Sequence, residues 1–281
     1  MAKYVRVHSV DQALECLADR RFRIIAGGTD VFPALGEAVI GDDILDISGL
    51  RDLRGIGRAS AGDGWRIGAL TTWTDVIRAD LPPWFDGLKL AAREVGSVQI
   101  QNAGTVAGNI CNASPAADGT AALLALDARV EVSGPAGLRV QPLADFVTGV
   151  RRTTLLPSEL VTAVIVPDGG DPGVGDFLKL GARQYLVISI AMVSVVLRLR
   201  EGIISRAGIA VGSCSPVARR LEGLEQRLVG VPPRDMAALV EEADAAVLSP
   251  IDDVRATAAY RREAALTLVR RALTRCEEAL R

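Results

Sequence analysis

At 281 residues, 49% hydrophobic and 23% charged, the chain is long enough for two domains and rich enough in apolar side chains for a large core, which excludes a disordered protein. A formal net charge of -2 and an aromatic content of 4% exclude a basic nucleic-acid surface and a base-stacking platform. One histidine, His8, and four scattered cysteines, Cys16, Cys111, Cys214 and Cys276, exclude a Cys/His zinc site, an iron–sulfur ligand set and a Ser-His-Asp triad, and leave the thiols as buried cytosolic residues.

Residues 1–10 hold no apolar stretch of the signal-peptide kind, so a cytoplasmic protein is expected. Ser9 and Gln12 form a capping box ahead of a helical stripe of Val10, Ala13, Leu14 and Leu17. A strand over 22–26 runs into Gly27-Gly28-Thr29-Asp30, and a further strand or two lies within 43–47, which completes a small α/β unit near Gly55. Trp65 to Leu70 reads as a strand. Thr72 and Asp75 open a helix, and after Pro82-Pro83 the spacing of Trp84, Leu88, Ala91 and Val95 predicts another that stops at Gly96. Residues 100–118 show little periodicity and read as a loop. Helix is predicted over 120–126, with strands over 129–132 and 160–166.

Residues 167–175 carry four glycines and two prolines in nine positions, the strongest boundary signal in the chain. The apolar run Tyr185–Leu197, at 13 residues, is too short to span a bilayer and reads as one buried core segment. A hairpin follows from 193–200 through a Glu201-Gly202 turn to 203–212. Then come a helix with Leu221, Leu224 and Leu228, another beginning near Asp235, and a last one with Leu266, Val269, Leu273, Cys276 and Leu280. The pairs Arg261-Arg262 and Arg270-Arg271 read as a solvated helix face.

Two glycine segments suit a ligand better than a core. Ala26-Gly27-Gly28-Thr29-Asp30 follows a strand directly, and 104–118 is small and polar over fifteen residues. Glycines let backbone N–H groups converge on a pyrophosphate without Lys or Arg, and nearby Asn, Ser, Thr and Asp can bond sugar hydroxyls. No Walker A pattern occurs. Gly55-Ile56-Gly57 starts like a dinucleotide fingerprint but lacks its third glycine in place.

The two segments together resemble the paired FAD loops of molybdenum hydroxylase flavoproteins, the family of the medium subunits of carbon monoxide, nicotinate and quinoline oxidoreductases and of the central part of xanthine dehydrogenase. The match runs from 26–30 through Thr105-Val106-Ala107-Gly108-Asn109 to Ser114-Pro115-Ala116-Ala117-Asp118, and on to 177–183, Ala259-Tyr260-Arg261-Arg262 and 268–273. The resemblance implies an α+β chain: a p-cresol methylhydroxylase-type FAD-binding domain at 1–168, with subdomains of about 1–55 and 56–168, followed by a smaller α+β C-terminal domain at 172–281. Arg23, Ile24, Ile25, Ala26, Gly27, Gly28, Thr29, Asp30 and Val31 would wrap the pyrophosphate and adenine side. Thr105, Gly108, Asn109, Asn112 and Ser114, with Gly104, Cys111 and Ala117 beside them, would hold the pyrophosphate and ribityl chain, and Asp118 would take hydroxyls. Lys179, Ile188 and 160–162, with Thr162 among them, would lie near the isoalloxazine ring.

Two positions depart from the pattern. Ala107 stands where a second glycine is usual, which needs a negative φ, and 184–190 lacks the acidic residue common after Lys179. The resemblance also implies that electrons travel from molybdenum through 2Fe-2S centres to FAD and on to NAD, oxygen or another acceptor. The clusters would sit in a small 2Fe-2S subunit and the metal in a large molybdopterin-binding subunit, assembled as a dimer of heterotrimers, with neither nucleic acid nor membrane insertion. The rival readings are a stand-alone flavin oxidase or reductase of the same fold, and a non-enzymatic nucleotide-binding protein.

Overall fold

The computed structural model describes every residue except Met1, Glu37, Val39, Ser60, Ala61 and Asp63. A three-stranded parallel sheet opens the chain, with β1 (Tyr4–Arg6), β2 (Arg23–Ile25) and β3 (Ile44–Asp46) in the order β1-β3-β2. Between these strands lie α1 (Val10–Asp19) and the short α2 (Val31–Leu35). Ser9 caps α1 by accepting the Gln12 N–H at 3.2 Å, while the Gln12 side chain turns back to the His8 N–H at 3.1 Å. Ala13 and Leu17 bury the inner face of that helix.

The next unit starts with β4 (Ile56–Arg58) and β5 (Gly64–Gly68), then runs through helices α3 (Trp73–Arg78), α4 (Asp86–Glu94), α5 (Val98–Ala103), α6 (Val106–Asn112) and α7 (Asp118–Ala125). It continues with β6 (Arg129–Gly134), β7 (Gly137–Pro142), α8 (Leu143–Phe146), the small pair β8 (Val147–Gly149) and β9 (Arg152–Thr153), and β10 (Leu160–Pro167). Five of the strands form an antiparallel sheet in the order β4-β5-β10-β6-β7. Thr72 and Asp75 form the reciprocal capping box expected at the start of α3.

The stretch 100–118 is not a loop. It holds α5 and α6, broken at Gly104 and Thr105. Helices of six and seven residues span under two turns, so no apolar stripe can repeat within them. Their start signals are the caps: Ser97 accepts the Ile100 N–H at 3.4 Å and Thr105 accepts the Gly108 N–H at 3.0 Å. Every residue of α7 is buried.

The C-terminal part is an antiparallel sheet of β11 (Gly173–Leu180), β12 (Ala191–Arg200), β13 (Ile203–Gly212) and β14 (Arg219–Arg220), followed by α9 (Glu222–Leu228) and the long α10 (Ala258–Ala279). The helix expected near Asp235 is a 3-10 helix, Pro233–Leu239. Strand β12 is buried on both faces. Met192 and Val196 join the core shared with α4 and α7, whereas Ala191, Val193, Val195 and Leu197 join a second core under α9 and α10. Double burial explains its unbroken apolar sequence. The run Tyr185–Leu197 is nevertheless two things: its first half is a loop with Tyr185, Leu186 and Ile188 exposed, and only its second half is core strand.

The sheet is fastened to the preceding unit by more than apolar contact. Arg220 donates to Asp127 Oδ1 at 2.6 Å and to the Leu124 carbonyl at 2.9 Å, and Arg198 lies over the Trp84 ring at 3.6 Å. Main chain also meets main chain: a Cβ on Gly208 would lie 2.1 Å from the Ala125 oxygen, and one on Gly175 would lie 2.6 Å from the Trp84 oxygen. Arg261 is not on a solvated face. It is 3% exposed, whereas Arg262, Arg270 and Arg271 are exposed as expected.

Candidate flavin cleft

A cleft of about 560 Å³ opens between the β2–α2 turn and the α5–α6–α7 segment, a size within the usual range of roughly 300–1,000 Å³ for small-molecule sites. Ile24, Ala26, Gly27, Gly28, Thr29, Asp30 and Val31 line one side. Gly104, Thr105, Gly108, Asn109, Cys111, Asn112, Ser114, Ala117 and Asp118 line the other. Two segments separated by some eighty positions are thus brought face to face, and both are those singled out from the sequence.

The glycines make this apposition possible. A Cβ on Gly27 would lie 1.8 Å from the Ala103 carbonyl oxygen, so the two segments touch through main chain alone. Gly28 has a φ of +69°, which favours glycine, and lets the chain turn into α2. Among the described residues, the backbone N–H groups of 27–31 have no protein acceptor. The Asn109 Oδ1 is buried without a hydrogen-bond partner. Free amide donors beside glycine suit phosphate oxygens and a stranded buried acceptor suits a hydroxyl, the pairing that a dinucleotide with phosphates and hydroxyls would complete. The residues present therefore fit FAD. Ala107 lies within α6 and is absent from the positive-φ residues, so its methyl is accommodated.

The outer residues divide. Arg23 points outward to Asp42 at 2.5 Å, and Ile25 is buried in the core beneath the turn. Neither lines the cleft. Leu160 and Val161 do, but Thr162 turns away and donates to Glu131 Oε1 at 2.7 Å, at a bulge in the β10–β6 register. Ile188 is exposed on the loop after β11. Its neighbour Ser189 is buried and donates to Asp118 Oδ1 at 2.9 Å.

Lys179 is no surface lysine. Its ammonium donates to Asp118 Oδ2 at 2.7 Å, with both side chains more than nine-tenths buried. Burial pushes the Asp118 carboxyl up from its ordinary range, opposed by the charge and hydrogen bond of Lys179 and by the Ser189 hydroxyl. A buried pair of this kind spends most of its Coulomb energy on desolvation, so it fixes geometry more than it stabilises. It joins the first residue of α7 to β11 and to the 181–190 loop. Burial also raises the Cys111 thiol to about 12, which keeps it protonated.

Residues 1–169 match the family described as the FAD binding domain in molybdopterin dehydrogenase. The chain belongs to that family. Residues 176–276 further match the CO dehydrogenase flavoprotein C-terminal domain. Among relatives of this molybdopterin dehydrogenase family, the chain is 33% identical over 238 residues to the xanthine dehydrogenase FAD-binding subunit of Escherichia coli O157:H7, covering 82% of this chain and 80% of that one. It is 31% identical to the glyceraldehyde dehydrogenase medium chain of Sulfolobus acidocaldarius, covering 96% of both. The structure of carbon monoxide dehydrogenase from Hydrogenophaga pseudoflava superimposes with a TM-score of 0.87 at 27% identity, over 98% of this chain and 96% of that one. The chain is thus a FAD-binding subunit of a molybdenum hydroxylase-type oxidoreductase, with the α+β architecture of that family.

Sequence reasoning missed the apolar wall. Ile47, Ala69, Trp73 and Ile100 line the cleft, but apolar residues carry no mark that separates a ligand wall from a core. It also missed Ser189, whose role depends on a contact with a residue 71 positions away.

Proposed function

We propose that this chain is the FAD-binding electron-transfer subunit of a heterotrimeric molybdenum hydroxylase, working in the cytoplasm beside a small 2Fe-2S subunit and a large molybdopterin-binding subunit, with two heterotrimers pairing. Residues 1–168 form the flavin domain and 172–281 the C-terminal domain. The observation that carries the reading is the pairing of the free amides of 27–31 with the unpartnered Asn109 Oδ1 across one cleft. The names of the relatives, a FAD-binding subunit and a medium chain, support a multi-subunit assembly. Bound FAD supplies one- and two-electron exchange, which suits a relay from iron–sulfur centres to NAD, oxygen or another acceptor. Within the chain, the amides of Gly27 to Val31 take the pyrophosphate, Asn109 and Ser114 bond ribityl hydroxyls, and the wall of Ile47, Ala69 and Trp73 excludes water. Asp118 meets the cofactor from the cleft wall, held in place by Lys179, which lies behind it and does not line the cleft.

The purified chain is expected to show flavin absorbance, with FAD released by acid because attachment is non-covalent. The native organic substrate should leave that spectrum unchanged in the isolated chain and bleach it in the reconstituted complex. A colourless chain that takes up no added FAD refutes the reading.

A further inference from the structure

The C-terminal helix begins with a buried arginine that flavin binding as described leaves unused. Arg261 lies in the first turn of α10, 3% exposed. Its Nη2 donates to Asp253 Oδ1 at 2.7 Å, and its Nη1 donates to two backbone carbonyls, Ile190 at 2.6 Å and Ser213 at 3.2 Å. Stability alone does not account for a guanidinium here. The positive end of the helix dipole opposes a cation at this terminus, and burying the charge carries a desolvation cost that one carboxylate does not fully offset.

Both carbonyls lead to the cleft. Ile190 ends the 181–190 loop, donates its N–H to Leu180 O at 2.7 Å, and follows Ser189, which holds Asp118 Oδ1. Ser213 sits at a left-handed φ of 62° and donates its N–H to Pro115 O at 3.0 Å, in the turn between α6 and α7 that carries the lining residues Ser114 and Ala117. One planar guanidinium therefore spans two of the backbone routes by which the C-terminal part reaches the flavin site.

We infer that Arg261 is a positioning residue for that site: it clamps the end of the 181–190 loop and the Pro115 turn in fixed relation, and so sets where Ser189 holds Asp118 and, through Asp118, Lys179. The clamp is a property of the chain itself; only its effect on FAD rests on the function proposed above. Lysine cannot reproduce the fork that reaches three acceptors at once.

The test compares Arg261→Met, Arg261→Lys and, as a control, Arg227→Met in the full-length chain. Arg227 is tied to Asp244 and the Leu239 carbonyl in the same part of the molecule but leads to no lining residue. In the flavin-free chain, amides of 113–118 and 181–190 should exchange about tenfold faster in Arg261→Met, less so in Arg261→Lys, and at the wild-type rate in Arg227→Met. With FAD bound, Arg261→Met should release it about tenfold faster and alter the visible circular dichroism of the flavin, and adding Ser189→Ala should change the release rate little further. Arg261→Lys carries the comparison where the Met variant fails to fold. Variants at 261 that melt earlier yet keep wild-type exchange in both segments, or effects of Arg261 and Ser189 that simply add, overturn the clamp. A wild-type chain that takes up no FAD overturns the proposed function instead, and leaves the exchange comparison to decide the clamp.

Discussion

Replacing Gly27 by alanine places one methyl group where the two halves of the flavin cleft touch. The new Cβ would lie 1.8 Å from the Ala103 oxygen and 2.5 Å from its carbon, whereas ordinary contact begins near 3.4 Å, so about 1.6 Å of movement is required. The obstacle is main chain at the end of α5, where the Gly104 N–H is bonded to Ile100 O at 2.6 Å, so no side chain can swing aside. The displaced junction carries Gly104 and Thr105, which line the cleft. Overpacking of this kind costs about 1–3 kcal/mol. Because the free chain relieves the clash by shifting the junction, binding must restore the original shape at a similar cost, and at about 1.4 kcal/mol per factor of ten FAD affinity should fall roughly tenfold to a hundredfold. Gly28→Ala is the comparison. Its Cβ meets only the Phe32 ring, at 2.4 Å, and Phe32 is exposed and free to move. That substitution bears the left-handed backbone penalty of about 1–2 kcal/mol in stability with a smaller loss of affinity. Titrating flavin-free protein with FAD by fluorescence quenching, beside a thermal melt, separates the two. Wild-type affinity in Gly27→Ala, or a larger loss in Gly28→Ala, would refute the role given to the loop contact.

Asn109→Ala should weaken FAD by about 1 kcal/mol or more while leaving the flavin-free chain as stable as wild type or more so, since it removes a buried acceptor without a partner; titration and melting of the same samples check both, and Arg271→Ala, exposed on α10, should change neither. Asp253 is held at about 2, below its ordinary 3.8, by the Arg255 backbone N–H first and by Arg261 and Arg255 side chains after it. A depressed carboxylate contributes stability above its unfolded value that is lost as pH falls through the folded one, so Asp253→Asn should flatten the stability loss between about pH 4 and pH 2 in acid melts.

The sequence made the cleft legible because its walls are built from residue types that a core does not use. Gly27, Gly28, Thr105 and Asn109 are each visible as exceptions to apolar patterning, and all four line the site. The strands β10, β12 and β13 were equally visible, since burial on one or both faces leaves periodic or continuous apolar runs. Three buried side chains stayed hidden because distant partners assign their roles. Thr162 faces Glu131 instead of the cleft because of a bulge, Arg261 is buried because Ile190, Ser213 and Asp253 converge on it, and Lys179 is buried because Asp118 waits across the seam. None of these leaves a local signature. Helices α5 and α6 escaped because they are too short to repeat, although their caps Ser97 and Thr105 were in plain sight.

Backbone meeting backbone at Gly208–Ala125 and Gly175–Trp84 has a mechanical meaning. At these two points no side chain separates the halves, so sliding there must carry main chain past main chain, and a displacement of the C-terminal sheet bears directly on Ala125 at the end of α7 and on Trp84 ahead of α4. The spacing of the two halves at this joint is thus set by chain path, with no side chain at these points to take up a change.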